Sequence, residues 1–144
     1  MGRVKATPTR LDDLTTAVVM VGVGAFRFPN KDRPRSSWMG LCQWCGKERW
    51  LQSCHIFPKA RYRWMRWDPM NVWAGCNGCH MFRWHRDGDV VGAGDLLKQI
   101  RTAEQMAALK MRAAFRVNVD DGFREGARLW LERRLIEACG KVLT

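Results

Sequence analysis

Three kinds of apolar pattern divide the chain. Ala17-Val-Val-Met-Val-Gly-Val-Gly-Ala-Phe26 is a continuous apolar run of ten residues. That length predicts a buried strand or a short helix and is half of the roughly 20 residues that cross a hydrocarbon core. Asp12 and Asp13 before it, and Asn30-Lys31-Asp32-Arg33-Pro34 after it, are not the flanks of a secretory leader. From Asp95 the period becomes helical. Leu96, Leu97 and Ile100 form a short face, and Met106, Leu109, Met111, Ala113 and Ala114 continue in helix-forming composition. Asn118-Val-Asp-Asp121 interrupts this, and an Asp cap opens a further helix. There Phe123, Ala127, Trp130, Leu131, Leu135 and Ile136 recur at intervals of three and four.

Between these patterns, residues 38–87 follow no simple period. They hold most of the cysteines and tryptophans and all three histidines. The expected organisation is a basic N-terminal arm and short apolar element over 1–37, a core over 38–90 and a helical region over 91–144. Residues 1–10 read as a loose arm, Asn30–Ser37 as a linker, and Val90-Val-Gly-Ala-Gly94 as a Gly-punctuated connection.

Length and charge narrow the partners. The chain has 144 residues, within the range of one domain. Its 25 Lys and Arg against 14 Asp and Glu leave a formal charge of +11. An excess of that size predicts a polyanionic partner, and with no spanning or leader segment the choice is nucleic acid over membrane. A cytoplasmic setting is expected.

Cysteine spacing adds chemistry. Cys42-Gln-Trp-Cys45 and Cys76-Asn-Gly-Cys79 are two Cys-x-x-Cys pairs separated by 30 residues. In a reducing compartment such pairs predict a tetrahedral zinc site, since each two-residue spacer turns both sulfurs toward one point. A redox motif needs one pair and a βαβ pattern, which is missing. Cys139 reads as a small buried apolar residue.

Between and after the cysteine pairs lie Ser53-Cys54-His55-Ile-Phe-Pro-Lys59, Arg66-Trp-Asp68-Pro-Met-Asn71 and Cys79-His80-Met-Phe-Arg-Trp-His85. This order resembles the HNH (ββα-metal) nucleases, and within them the phage-associated, recombination-type proteins. The resemblance covers about residues 41–87. It implies an α+β fold with a zinc-stapled ββα-metal core, followed here by the helical C-terminal region. It implies metal-dependent hydrolysis of DNA phosphodiester bonds, by nicking or double-strand cleavage, in a phage or prophage setting of recombination, repair or packaging.

A neutral imidazole is a suitable general base near pH 7, and the resemblance assigns that role to His55. Asn71 is implied as the positioning residue, either tying down a loop through backbone groups or holding the imidazole in one tautomer. His80 is implied as a ligand of the catalytic metal. On an ideal α-helix His85 lies about 140° round from His80, so it stands as a second ligand or a phosphate contact. Where many such enzymes place Asp or His before the base, this chain has Cys54. A thiolate there selects a softer ion than Mg²⁺, or the ion is held without it. The expected catalytic ion is Mg²⁺ or Mn²⁺, with Zn²⁺ or Ni²⁺ as alternatives.

Lys59, Arg61, Arg63 and Arg66 alternate with aromatic residues between base and Asn, and Arg83 and Arg86 flank the histidines. Cations so placed grip DNA phosphates. Trp64 and Trp67 are expected to pack on the zinc core instead of stacking on bases. The basic C-terminal helices, Arg124 among them, are either a DNA or dimer surface or a solvated face, and a homodimer would set two nicking sites on opposite strands. The rival reading is a zinc-containing DNA-binding protein with little or no hydrolytic activity, favoured by Cys54. An RNA-directed nuclease is a third.

Overall fold

The computed structural model describes residues 6–28 and 37–143, with side chains to residue 140. The architecture is mixed helix and sheet, as expected for α+β. Helix α1 runs Pro8–Gly22 and is followed by strand β1, Phe26–Arg27. Strands β2 (Trp38–Leu41), β3 (Glu48–His55) and β4 (Val72–Cys76) complete one antiparallel sheet in the order β1-β2-β3-β4. A π-helix over Gly78–Arg86 leads into α2 (Val90–Ile100), α3 (Ala103–Ala114) and α4 (Asp121–Leu143). Among the described residues no helix is long and apolar enough to cross a membrane.

The N-terminal segment corrects one expectation. Residues 8–10 are helical, because the Thr7 hydroxyl accepts from the Arg10 amide at 3.2 Å and Pro8 occupies the first turn, where its missing N–H costs nothing. Residues 1–5 of the expected arm and 29–36 of the expected linker lie outside the described residues. The apolar run is helical to Gly22 and then reverses at Gly24, whose φ of 76° suits glycine. Leu11 and Leu14 pack with Trp67 and Leu131, while Val19 and Met20 join the core beneath the sheet.

The C-terminal half also departs in detail. The expected Gly-rich connection at 90–94 is the first turn of α2, since the Asp89 carboxylate caps the Gly92 amide at 2.9 Å. The helical pattern read as continuing over 96–114 is two helices, divided at Arg101 and restarted by a capping box of Thr102 and Gln105. At α4 the Asp120 carboxylate caps the Phe123 amide at 2.8 Å, in line with the acidic cap read from the sequence.

The β3–β4 ladder sets the frame for chemistry. Leu51 faces Cys76 at one end and His55 faces Val72 at the other. Its core face is aromatic: Trp44, Trp73 and Trp84 meet mutually, with centroids 5.5–6.1 Å apart. Trp64 and Trp67 lie elsewhere, in two other apolar clusters, so they pack as expected but not on the cysteines. A Cβ at Gly75 would stand 2.4 Å from the Trp73 ring and 2.9 Å from the Cys54 sulfur, so this position admits only glycine. Cys139, expected buried, is exposed on α4.

Candidate active site

At the Leu51–Cys76 end, Cys42, Cys45, Cys76 and Cys79 bring their sulfurs within 4.8 Å of one another. Each knuckle is locally built. In the first, the Gly46 amide donates to Cys42 O at 2.9 Å, and Gly46 takes φ 72°. In the second, the Cys79 amide donates to Cys76 Sγ at 3.5 Å, while the Cys76 amide reaches Cys42 Sγ at 3.4 Å. Gln43 fastens the first knuckle to β4 by bonds in both directions with Ala74, at 2.8 and 3.0 Å.

These residues fit zinc. Sulfurs ~2.3 Å from a tetrahedral ion lie about 3.8 Å apart, and Cys45 Sγ is 3.9 Å from Cys76 Sγ. Burial and the neighbouring sulfurs push the Cys79 thiol far up, so thiolates crowded here need a cation among them. The four cysteines could hold a structural metal such as zinc.

Cys54 faces the same core. It is fully buried, its thiol pushed well up by burial, and its charge neighbours are Cys42, Cys76 and Cys79. Its hydrogen bond goes to Gln52 O at 3.5 Å. The structure thus sets Cys54 beside the cysteine cluster and does not bring it to the histidines.

The other end of the ladder holds His55 and Asn71, while the π-helix carries His80 and His85 and meets β3 at Gln52, opposite Gly75. His55 Nε2 lies 2.9 Å from the Arg66 carbonyl. A carbonyl only accepts, so Nε2 carries the proton and the lone pair of the neutral ring is on Nδ1. Burial, joined by Lys59 and Arg66, lowers the pKa of His55, although the Arg66 carbonyl and Asp12 oppose this. The imidazole is therefore neutral at pH 7.

Asn71 is fully buried and ties down the chain after His55. Its Oδ1 accepts from the Phe57 amide at 2.8 Å, and its Nδ2 donates to Phe57 O and Met65 O, each at 3.0 Å. Of the two positioning modes open to an Asn here, the loop tie is the one present.

His80 Nδ1 lies 2.8 Å from Gln52 Oε1, and Gln52 Nε2 donates to Asn77 at 3.3 Å. That orientation makes Nδ1 the donor and leaves the His80 Nε2 lone pair free. His85 Nε2 is 3.0 Å from it. Two nitrogens ~2.1 Å from one ion and at right angles are separated by about 3.0 Å, so the pair fits adjacent ligand positions. The α-helical estimate of 140° fails because this segment is a π-helix. Its i→i+5 bonding, as in Asp87 N to Phe82 O at 2.7 Å, stacks residues five apart. Burial first, then His85, His55 and Lys59, lower the His80 pKa to about 4.

Several expected phosphate contacts are already engaged. Arg66 makes a two-pronged pair with Asp12 of α1, at 2.9 and 2.7 Å. Arg83 pairs with Asp89 at 3.1 Å and lies over Trp44, its guanidinium carbon 4.0 Å from the ring centre. Arg86 pairs with Asp87 and covers Phe82. Arg61 covers Tyr62, and Lys59, Arg61 and Arg63 are exposed without an ion pair among the described residues.

Three contributors escaped sequence reasoning. Asp12 holds Arg66, whose carbonyl holds His55, and also accepts from Trp67 Nε1 at 2.9 Å. Gln52 orients His80. Arg101 donates to Met70 O and Val72 O at 3.0 and 2.7 Å, which steadies the strand entry beside Asn71. Only Gln52 carried a signal, lying on β3 three residues before the base. No protein-family model, curated protein or solved structure matches this chain.

Proposed function

We propose that the protein is a metal-dependent endonuclease of the HNH (ββα-metal) type that hydrolyses DNA phosphodiester bonds. The observation that carries this reading is the pairing of the His80 and His85 Nε2 atoms at 3.0 Å, supported by a neutral, carbonyl-anchored His55 at the end of β3. In this reading His55 Nδ1 takes a proton from water as the water oxygen bonds to phosphorus. The opposite phosphorus–oxygen bond breaks, and the leaving oxygen takes a proton from solvent. Asn71 keeps the loop of His55 in place, and Lys59, Arg61 and Arg63 supply positive charge to the DNA. A divalent ion held by His80 and His85 would stabilise the charge that builds on the phosphoryl oxygens. Two imidazole donors suit Mn²⁺, Ni²⁺ or Zn²⁺ better than Mg²⁺.

The rival, a zinc-containing DNA-binding protein, draws on the position of Cys54, which leaves the histidine pair without a ligand from β3. Supercoiled plasmid incubated with each ion decides between them. Nicking is expected, with His55→Ala slowing it by about 10²–10⁴-fold. Equal nicking by His55→Ala removes the base assignment. No nicking with any ion, alongside retained duplex binding, establishes the rival.

A further inference from the structure

A concavity lies beyond the Arg66 carbonyl. It is a cavity of about 370 Å³ between the start of α1, the loop after β3 and the start of α4. Its cations are Lys59, Arg63, Arg66 and Arg124, set against Trp67 and Val119, and no acidic residue lines it. We propose that this cavity is a phosphate-binding site, occupied by a backbone phosphate of DNA flanking the cleaved bond. The DNA source rests on the nuclease reading above, whereas the anion affinity does not.

Convergence of like charges on a hollow is unfavourable unless an anion offsets it. Two of the four cations are already held in place by neighbouring groups. Arg66 is gripped by Asp12, and Arg124 by Asp121 at 2.9 Å and by the Val119 carbonyl at 3.4 Å. These partners orient the guanidinium groups before any ligand arrives, which lowers the cost of ordering them on binding. Lys59 and Arg63 bring charge that no described acidic group offsets. The Trp67 ring is almost wholly buried, with Arg66 5.5 Å from its centre, and such an apolar wall weakens solvent screening of the field.

Position favours DNA as the source of the phosphate. Arg66 contributes its side chain to the cavity and its carbonyl to His55, and Lys59 lies within electrostatic reach of both His55 and His80. A strand whose scissile phosphate lies at the histidines therefore brings a neighbouring phosphate to the cavity. Arg124 gives the C-terminal helix a defined part in substrate binding, distinct from that of a solvated basic face.

The test uses the full-length, zinc-loaded protein. Inorganic phosphate is titrated into the ¹⁵N-labelled chain, and saturable amide shifts are expected at Ala60, Arg63, Val119 and Arg124. They should vanish in an Arg63→Ala/Arg124→Ala double variant and persist in Arg124→Lys. With a 20-base-pair duplex and the His55→Ala background, each Ala substitution should lower the slope of log K against log salt by about 1. Absent phosphate shifts with an unchanged salt slope overturn the site, even where His55-dependent nicking persists and the nuclease reading stands. Phosphate shifts that duplex DNA does not compete away overturn DNA as the source, leaving a site for free phosphate. Variant folding is checked by the far-ultraviolet dichroism and melting of each protein.

Discussion

At the Leu51–Cys76 end of the β3–β4 ladder, four thiols are gathered by turns within a few residues of each sulfur. The imidazoles are held from farther off: His55, at the His55–Val72 end, by a loop carbonyl whose residue is pinned by α1, and His80 by Gln52 of β3. The sulfurs are mostly buried and crowd together in a way that calls for a cation. His55 and His80 are partly exposed, neutral and individually tethered, and the exposed His85 leans on His80. One end resembles a staple, where binding energy becomes folding energy. The other resembles a reactive site, where residues keep open positions toward solvent. Each contrast can be broken by substitution.

The largest effect is expected at the cysteines. Structural zinc contributes roughly 10 kcal/mol or more of apparent binding energy to folding. Cys76→Ser, or prolonged chelation, should therefore abolish the cooperative melting transition. His80→Ala, in contrast, should leave stability within about 1 kcal/mol. Differential scanning calorimetry of the two variants reads this directly, and equal losses would show that the ends do not differ in kind.

Asn71→Ala comes next. It strands the part-buried Phe57 amide and carbonyl and removes one of two bonds to the buried Met65 carbonyl, at about 1–3 kcal/mol for each group left unpaired. A loss of roughly 3–5 kcal/mol is expected in urea unfolding, with nicking reduced even where the protein remains folded. A smaller loss would mean that the loop after β3 is held by packing alone.

The smallest and sharpest effect is at Asp12. Asp12→Asn should cost about 1–2 kcal/mol through the weakened Arg66 pair. Its carboxylate favours the charged form of His55, so removal lowers the His55 pKa further. The base acts only when deprotonated, and activity falls as pH drops through its pKa. In the wild type this acid limb is expected below 6.5, the ordinary histidine value. In Asp12→Asn it should move lower still, with a reduced plateau. An unmoved limb would separate Asp12 from the base.

These contrasts also explain what could be read from the chain alone. The cysteine pairs were legible because a knuckle is a local object, and its two-residue spacing survives whatever surrounds it. The α4 periodicity was legible for the same reason. The α1 start was misjudged because a Thr-Pro cap outweighs the polar composition of residues 8–10. Arg66 and Arg83 look like free cations in sequence, yet the carboxylate that holds Arg66 lies 54 residues away. His85 was placed by α-helical geometry, and nothing in Gly78–Arg86 announces a wider coil.

That wider coil couples backbone pitch to ligand spacing. Were residues 78–86 to tighten into an ordinary α-helix, His85 would swing roughly 140° away from His80 and their nitrogens would part. Anything bridging both nitrogens must therefore also keep the segment unwound. Occupancy at the histidines would be readable in the amide exchange of the helix itself.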